Sequence, residues 1–300
     1  MSLVESPSAQ VLDAVEENLP PQGAVAVVRR RGLRTWPISL LIGVFVLAAI
    51  VLVLLLTPWI APYPPDAQDL ANRLAPPSAD HLLGTDQLGR DVLSRLMYGG
   101  RFSMTIAAIA TVISGVLGTV LGIVCARVRG PLDEIVMRMT DVLLAFPEMI
   151  VAMFLVAILG PGYSTLVLAL VIGGWTPFAR LARGLAMEIN SRDFIEAADA
   201  LGFSRRFIMF RHILPNALSP IMAHASLRFG HKLITVGALS FLGLGVQPPA
   251  SDWGSMLADG QPYMTRAAGL VLYPGLTIFV TALAVTLIGQ GLNARRSRQR

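Results

Sequence analysis

The side chains able to do chemistry in this sequence fall into two groups. The first is a charged island between long apolar runs, Asp193–Asn216, reading DFIEAADALGFSRRFIMFRHILPN. Glu196-Ala197-Ala198 precede Gly202, and Arg205, Arg206, Arg211 and His212 make the stretch up to Leu214-Pro215 basic. The pattern predicts two short helices joined at Gly202, because glycine tolerates the positive φ of a sharp turn. Pro215, which cannot continue a helix interior, is expected to end the second. A polar helix–turn–helix among membrane spans must lie outside the bilayer, so its chemistry is docking to a soluble partner. The second group is His224, Arg228, His231, Lys232 and Thr235, whose spacings of three or four place them on one helical face. Basic groups at membrane depth are costly and usually face a cavity or a partner. Arg228, His231 and Lys232 are therefore expected to line a pathway and meet carboxylates that pass along it. The alternative is structural, with the cations paired to Glu148, Asp141 or acidic groups of a neighbouring subunit.

Composition defines the class. With 300 residues, 54% of them hydrophobic and 14% charged, and a mean hydropathy of +0.63, the chain is too apolar for an ordinary soluble domain. Lys232 is the only lysine, which rules out a Walker A loop in this chain. Cys125 is alone and reads as a small apolar packing residue. His81, His212, His224 and His231 form no metal-binding spacing, and no nucleophile elbow marks a membrane hydrolase.

The elements that must position these residues follow along the chain. Residues 1–35 read as a cytoplasmic tail, acidic at first and without periodicity, ending in Arg29-Arg30-Arg31 and Arg34. Residues 36–101 hold a first span, Ile38–Leu56, and the one long outer segment. Within that segment Asp91–Tyr98 has helical spacing and is expected to form a short amphipathic helix at the outer interface. Residues 102–294 read as a five-helix core containing the loop 184–216, and residues 295–300 as a basic cytoplasmic end. In the third span Pro147 should produce a kink beside Glu148. The fifth span is expected over Ala217–Val246 and the sixth over Gly269–Asn293. Arginines gather at every boundary assigned to the inside, while the outer segment carries mixed charge, so six spans with both ends cytoplasmic satisfy the positive-inside rule.

Four stretches carry a family resemblance. E-A-A-x3-G with ten residues before I-L-P resembles the EAA loop of permease subunits of ATP-binding-cassette (ABC) importers. Gly84–Leu96, G-T-D-x-L-G-R-D-V-x-S-R-L, resembles the segment before the second span in C-type subunits of dipeptide and oligopeptide permeases. Ala238–Asp259 and Tyr273–Leu292 are similar to the fifth-span end with its outer loop, and to the last span, of the same subunits. The resemblance covers about residues 36–295. It implies an all-α integral membrane protein with six transmembrane helices, the type I importer permease fold and cytoplasmic EAA coupling helices in a bacterial inner membrane. It further implies a second permease subunit, two ATP-binding subunits that carry ATP and Mg, and an extracytoplasmic substrate-binding protein. No cofactor is expected in this chain, and no nucleic-acid partner.

Under that resemblance Glu196, Ala197, Ala198, Gly202, Arg205, Arg206, His212, Leu214 and Pro215 couple the chain to an ATPase. Small alanines permit close approach, and the permease moves between inward- and outward-facing states. Dipeptides or short oligopeptides are the expected cargo, with a metal chelate or other small solute as the alternative. One departure stands out: family members are mostly small and apolar where Arg228 and Lys232 stand, and commonly carry glutamate at Val236. A channel or secondary transporter is the competing class, but no inverted repeat is visible. A membrane-embedded enzyme would need a nucleophile–base or metal set that the residues do not supply.

Overall fold

The computed structural model describes residues 37–297, so the expected tail 1–35 and the last arginines, Arg298 and Arg300, lie outside the described residues. Among the described residues the architecture is helical, with one isolated bridge between Thr85 and Asp91 and no strand. Eleven α-helices follow one another. They are α1 (Ile38–Ile60), α2 (Val92–Val128), α3 (Pro131–Leu144), α4 (Glu148–Leu159), α5 (Tyr163–Gly174) and α6 (Thr176–Asn190). There follow α7 (Asp193–Ala200), α8 (Arg205–Ile208), α9 (Leu214–Phe241), α10 (Trp253–Gly260) and α11 (Gly269–Ser297).

Helix α2 is the centre of the bundle and packs on α5, α6, α9 and α10. Its closest partner is α6, and small residues permit the approach. A Cβ added at Gly118 would overlap Trp175 O, and one at Gly122 would overlap Ala179 O. Apolar solvent gives helices no hydrophobic reason to associate, so close backbone packing must supply the attraction. Helix α1 buries little beyond Leu40, Gly43, Leu54 and Thr57. It lies on α11, where an added Cβ on Gly43 would stand 2.6 Å from Ala284 O and one on Gly291 2.6 Å from Leu40 Cβ.

Four helical segments are long and apolar enough to cross a membrane: Ile38–Ile60, Val92–Val128, Tyr163–Asn190 and Gly269–Ala294. Helices α3 and α4 make a fifth if they count as one span, but they meet at 88°. The expected kink is thus a full break. Pro147 donates no backbone hydrogen bond, and its ψ of 128° sends the chain out of helix before Glu148 restarts it. The fifth expected span, Ala217–Val246, corresponds to the 28-residue α9 (Leu214–Phe241). It has the length, but Arg228, Lys232 and two histidines deprive it of the apolar composition that marks a span, so composition and length alone support at most five.

Two further expectations are corrected. Asp91–Tyr98 is not a separate interfacial helix. Val92 begins the 37-residue α2, which runs unbroken into the apolar region. Gly99 and Gly100, which resemble a break, are instead where α10 approaches: a Cβ on Gly100 would lie 2.6 Å from Trp253 Cζ2. Likewise Pro215 does not end a helix. A wide π turn at Met209–Ile213 joins α8 to α9, and Leu214 N–H reaches back to Met209 O. This widening lets the pyrrolidine ring sit in the first turn of α9 without meeting the carbonyl a normal turn would place against it.

The α2–α6 contact yields a paired test. Gly122→Ala should lower the thermal stability of the purified protein by ~1–3 kcal/mol through overpacking. Gly184→Ala, where nothing lies within 4 Å of the new methyl, should raise stability by about 0.5–1 kcal/mol through helix propensity.

Candidate functional site

The island Asp193–Asn216 folds as two helical arms around Gly202. Helix α7 ends in a Schellman arrangement: Phe203 N–H donates to Ala198 O at 3.2 Å and Gly202 N–H to Asp199 O at 3.0 Å. This requires a left-handed residue at the turn, and Gly202 has φ of +79°. Ser204 then caps α8, its hydroxyl accepting from Phe207 N–H at 3.3 Å. Ile195 and Ala198, one turn apart, are buried with Ala126, Ala182, Ile189, Ile208 and Ile213. That seating turns Glu196 and Ala197 outward, and Arg205 and Arg206 are exposed as well. Leu214 is half-buried and Pro215 exposed.

The loop's surface is more apolar than its sequence charge suggests. Leu201 is 77% exposed and Phe210 63%. Phe203 and Phe207 stack with ring centroids 4.8 Å apart, and His212 meets the edge of Phe207 at 5.7 Å. Two ion pairs brace the loop and its approach. Arg127 in the last turn of α2 binds Asp199, and Arg183 on α6 clamps Asp133 through Nε at 2.6 Å and Nη2 at 2.7 Å.

Three of the second predicted group, Arg228, His231 and Lys232, converge on Glu148, whereas His224 meets the Phe178 ring edge-on at 5.0 Å and Thr235 donates to His231 O. Arg228 Nη2 pairs with Glu148 Oε2, Lys232 Nζ lies 3.5 Å from Oε1, and His231 Nδ1 is 3.8 Å from Oε2. Lys232 is 0% exposed and also donates to Leu170 O at 2.6 Å. Gly173 and Gly174 admit these side chains, since a Cβ at Gly173 would stand 3.0 Å from Glu148 Cγ and one at Gly174 would overlap Lys232 Nζ. Arg228 is largely buried and His231 exposed. Asp141, the other carboxylate considered, binds Arg180 instead. The pairing of the cations with Glu148, left open by sequence, is present. Glu148 itself was visible as a lone carboxylate after Pro147 in an apolar run.

Sequence reasoning missed the outer network. Asp86 accepts from Leu88 N–H at 2.8 Å, Arg90 N–H at 3.0 Å and Arg90 Nε at 2.7 Å, and it also binds Arg95. Arg95 reaches on to Asp259 at 3.0 Å. Asp91 caps α2 through Ser94 N–H at 2.8 Å and meets His81 Nδ1 at 3.0 Å. Gly84 and Gly89 have φ of +78° and +74°. The G-T-D-x-L-G-R-D motif therefore folds the outer segment into a knot tied to α10. Nearby, the Asn72 amide and Ala71 N–H hold the Asp69 carboxyl below its usual range. Burial pushes the Asp252 carboxyl up, opposed by the Ser255 and Gly254 N–H groups that it caps.

With the knot, the charge cluster and the two-armed loop in place, the comparisons decide the family. Residues 118–298 match the family described as binding-protein-dependent transport system inner membrane component. Residues 39–77 match the N-terminal TM domain of oligopeptide transport permease C. The chain belongs to the binding-protein-dependent permease family. A di/tripeptide transport system permease protein of Pseudomonas aeruginosa is 41% identical, covering 83% of this chain and 84% of its own. A probable D,D-dipeptide transport system permease of Escherichia coli is 36% identical, over 82% and 83%. A glutathione transport system permease of Pectobacterium atrosepticum is 42% identical over 72% of each. Among solved structures, the inward-facing MetNI methionine ABC transporter superposes with a TM-score of 0.57 at 18% identity, covering 69% of this chain and 98% of that one. An amino acid ABC transporter follows at 0.52 and 18%, over 69% and 94%. At that identity the likeness establishes the fold. This permease is thus an all-helical, membrane-embedded transport component of the kind found in bacterial inner membranes.

The outer knot of the permease supplies a test. Asp86→Asn leaves two nearly buried guanidinium groups, Arg90 and Arg95, with only the more exposed Asp259 carboxylate between them. The change should cost ~1–3 kcal/mol, the penalty of buried donors left partly unsatisfied. Faster trypsin cleavage of the outer segment in right-side-out vesicles would register it, while Asp66→Asn should leave the cleavage rate unchanged.

Proposed function

We propose that this permease pairs with a second, related permease to form the membrane pathway of an ABC importer for dipeptides and short oligopeptides. In this reading α9 is the remaining span, giving six with both termini cytoplasmic. A binding protein delivers cargo to the outer face, and Asp193–Asn216 docks on an ATPase subunit.

The observation that carries the docking assignment is the exposed aromatic surface around Gly202. Ile195 and Ala198 already satisfy the loop's own packing, so Leu201, Phe203, Phe207 and Phe210 remain exposed beyond what folding requires. Contiguous apolar surface rimmed by charge marks a protein interface. Exposed Ala197 permits close approach, with Glu196, Arg205, Arg206 and half-buried His212 around it. Leu214 and Pro215 set the junction with α9, so displacement of the loop passes directly into a membrane helix. The peptide assignment is supported by relatives named for di- and tripeptides, D,D-dipeptides and glutathione.

The cationic cluster fits the same reading. Arg228, Lys232 and, when protonated, His231 outnumber Glu148, which suits a pathway for peptides bearing a terminal carboxylate. His231 and the edge of Arg228 meet the pathway, while buried Lys232 holds Glu148 in place. Neutralising Arg228 and Lys232 together should shift substrate preference in an intact complex; lost assembly instead makes the cluster purely structural.

Two measurements test the proposal. Mild-detergent purification of the tagged chain should bring along a second permease, an ATPase and a binding protein. Recovery of the chain alone favours a channel or secondary transporter. Gly202→Trp forces a bulky residue into left-handed backbone where the space is open. The complex should assemble and hydrolyse ATP but transport about 5–150-fold less, the range of typical site-to-site coupling. Normal transport by that variant removes the loop from the coupling role.

A further inference from the structure

Beside the docking loop lies a cavity of about 360 Å³ lined by Ala126, Arg127, Arg129, Asn190, Asp199 and Arg205. It is formed by the inner ends of α2 and α6 together with both arms of the loop. Three guanidinium groups share it with one carboxylate, and that carboxylate is taken up by the Arg127–Asp199 pair. Neither Arg129 nor Arg205 has a carboxylate partner among the described residues. Two buried polar atoms also lack partners: Arg127 Nε and Asn190 Oδ1. With its amide O and N exchanged, Asn190 would present a donor in place of that orphaned acceptor. Arg129 stands at the end of α2 with φ of +56°, an uncommon conformation for a residue with a side chain.

We infer that this cavity binds the phosphate of an acidic phospholipid headgroup from the cytoplasmic leaflet. Convergent guanidinium groups with unfilled donors match the several acceptor oxygens of a phosphate. The lipid source follows from position, because Val92–Val128 and Tyr163–Asn190 are both apolar enough to cross the bilayer. Their inner ends therefore stand at headgroup depth, where acidic lipids concentrate beside arginine clusters. Bound there, the phosphate bridges the spans through Arg127 and Arg129 to the loop through Arg205. Acidic lipid thus helps fix the loop's position, a consequence that rests on the docking role proposed above, whereas the binding site itself does not.

The test uses the intact importer in nanodiscs of phosphatidylcholine alone or of phosphatidylcholine with phosphatidylglycerol. Lipid retention is read by native mass spectrometry and ATP hydrolysis is read in parallel. Arg129→Gln should weaken phosphatidylglycerol retention by about tenfold or more, the loss expected of one charge-assisted hydrogen bond. Arg129→Lys should restore part of it, and the wild type should hydrolyse ATP faster with phosphatidylglycerol than without. Equal retention by wild type and Arg129→Gln overturns the proposal. So does saturation by inorganic phosphate in phosphatidylcholine discs with no preference for phosphatidylglycerol, which assigns the cavity to a soluble anion. Loss of the ATPase subunit from Arg129→Gln with unchanged lipid retention assigns it to a carboxylate of that subunit, again against the proposal. Lipid loss with unaltered ATP hydrolysis leaves the binding site standing and counts against the docking role of the loop.

Discussion

A carboxylate and two cations inside an apolar bundle are tolerable only together, and the central part of this permease is arranged around that requirement. Glu148 stands at the start of α4, immediately after the break at Pro147. Arg228 and Lys232 approach from α9, and Leu170 O gives Lys232 a second acceptor. Desolvation makes an isolated charge here far more expensive than a paired one. The right-angled break aims Glu148 inward, and Gly173-Gly174 leave the room that a methyl group would take. One side-chain cluster thus ties α9 to α4 and α5, which lie far from it in sequence.

The same cluster explains which parts of the fold were legible. Apolar runs identify α1, α2, the α5–α6 pair and α11 because lipid-facing helices must be apolar. Helix α9 is hidden from that criterion because its polar groups find partners 80 and more residues away. The two arms around Gly202 were legible, since a Schellman turn needs a residue that accepts positive φ. Pro215 was misread because the rule against interior proline assumes a normal turn, and the π turn at Met209–Ile213 relaxes it. Gly99-Gly100 resembles a helix break until Trp253, far along the chain, is seen against it. Helical spacing put Arg228, His231 and Lys232 on one face, but that Glu148 is the carboxylate they meet depends on the break at Pro147, which spacing along α9 does not reveal.

Ion pairs fasten both ends of the bundle as well as its middle. At one end, Asp86, Arg90, Arg95 and Asp259 fasten the long segment to α10. At the other, Arg127–Asp199 and Arg183–Asp133 fasten the loop and α3 to the α2–α6 pair. Between them small residues let α2 and α6 pack closely, and Glu148 ties the start of α4, just past the α3–α4 break, to α9.

The central claim is that Glu148 is required because Arg228 and Lys232 are present. Thermal unfolding of the detergent-purified permease tests it directly with two variants. Glu148→Gln alone should destabilise by ~3–5 kcal/mol, because it leaves cations buried without their partner. Adding Arg228→Gln and Lys232→Met to that change should recover most of the loss, since no buried charge then remains. A Glu148→Gln protein as stable as the wild type, or a triple variant no better than the single one, would contradict the account.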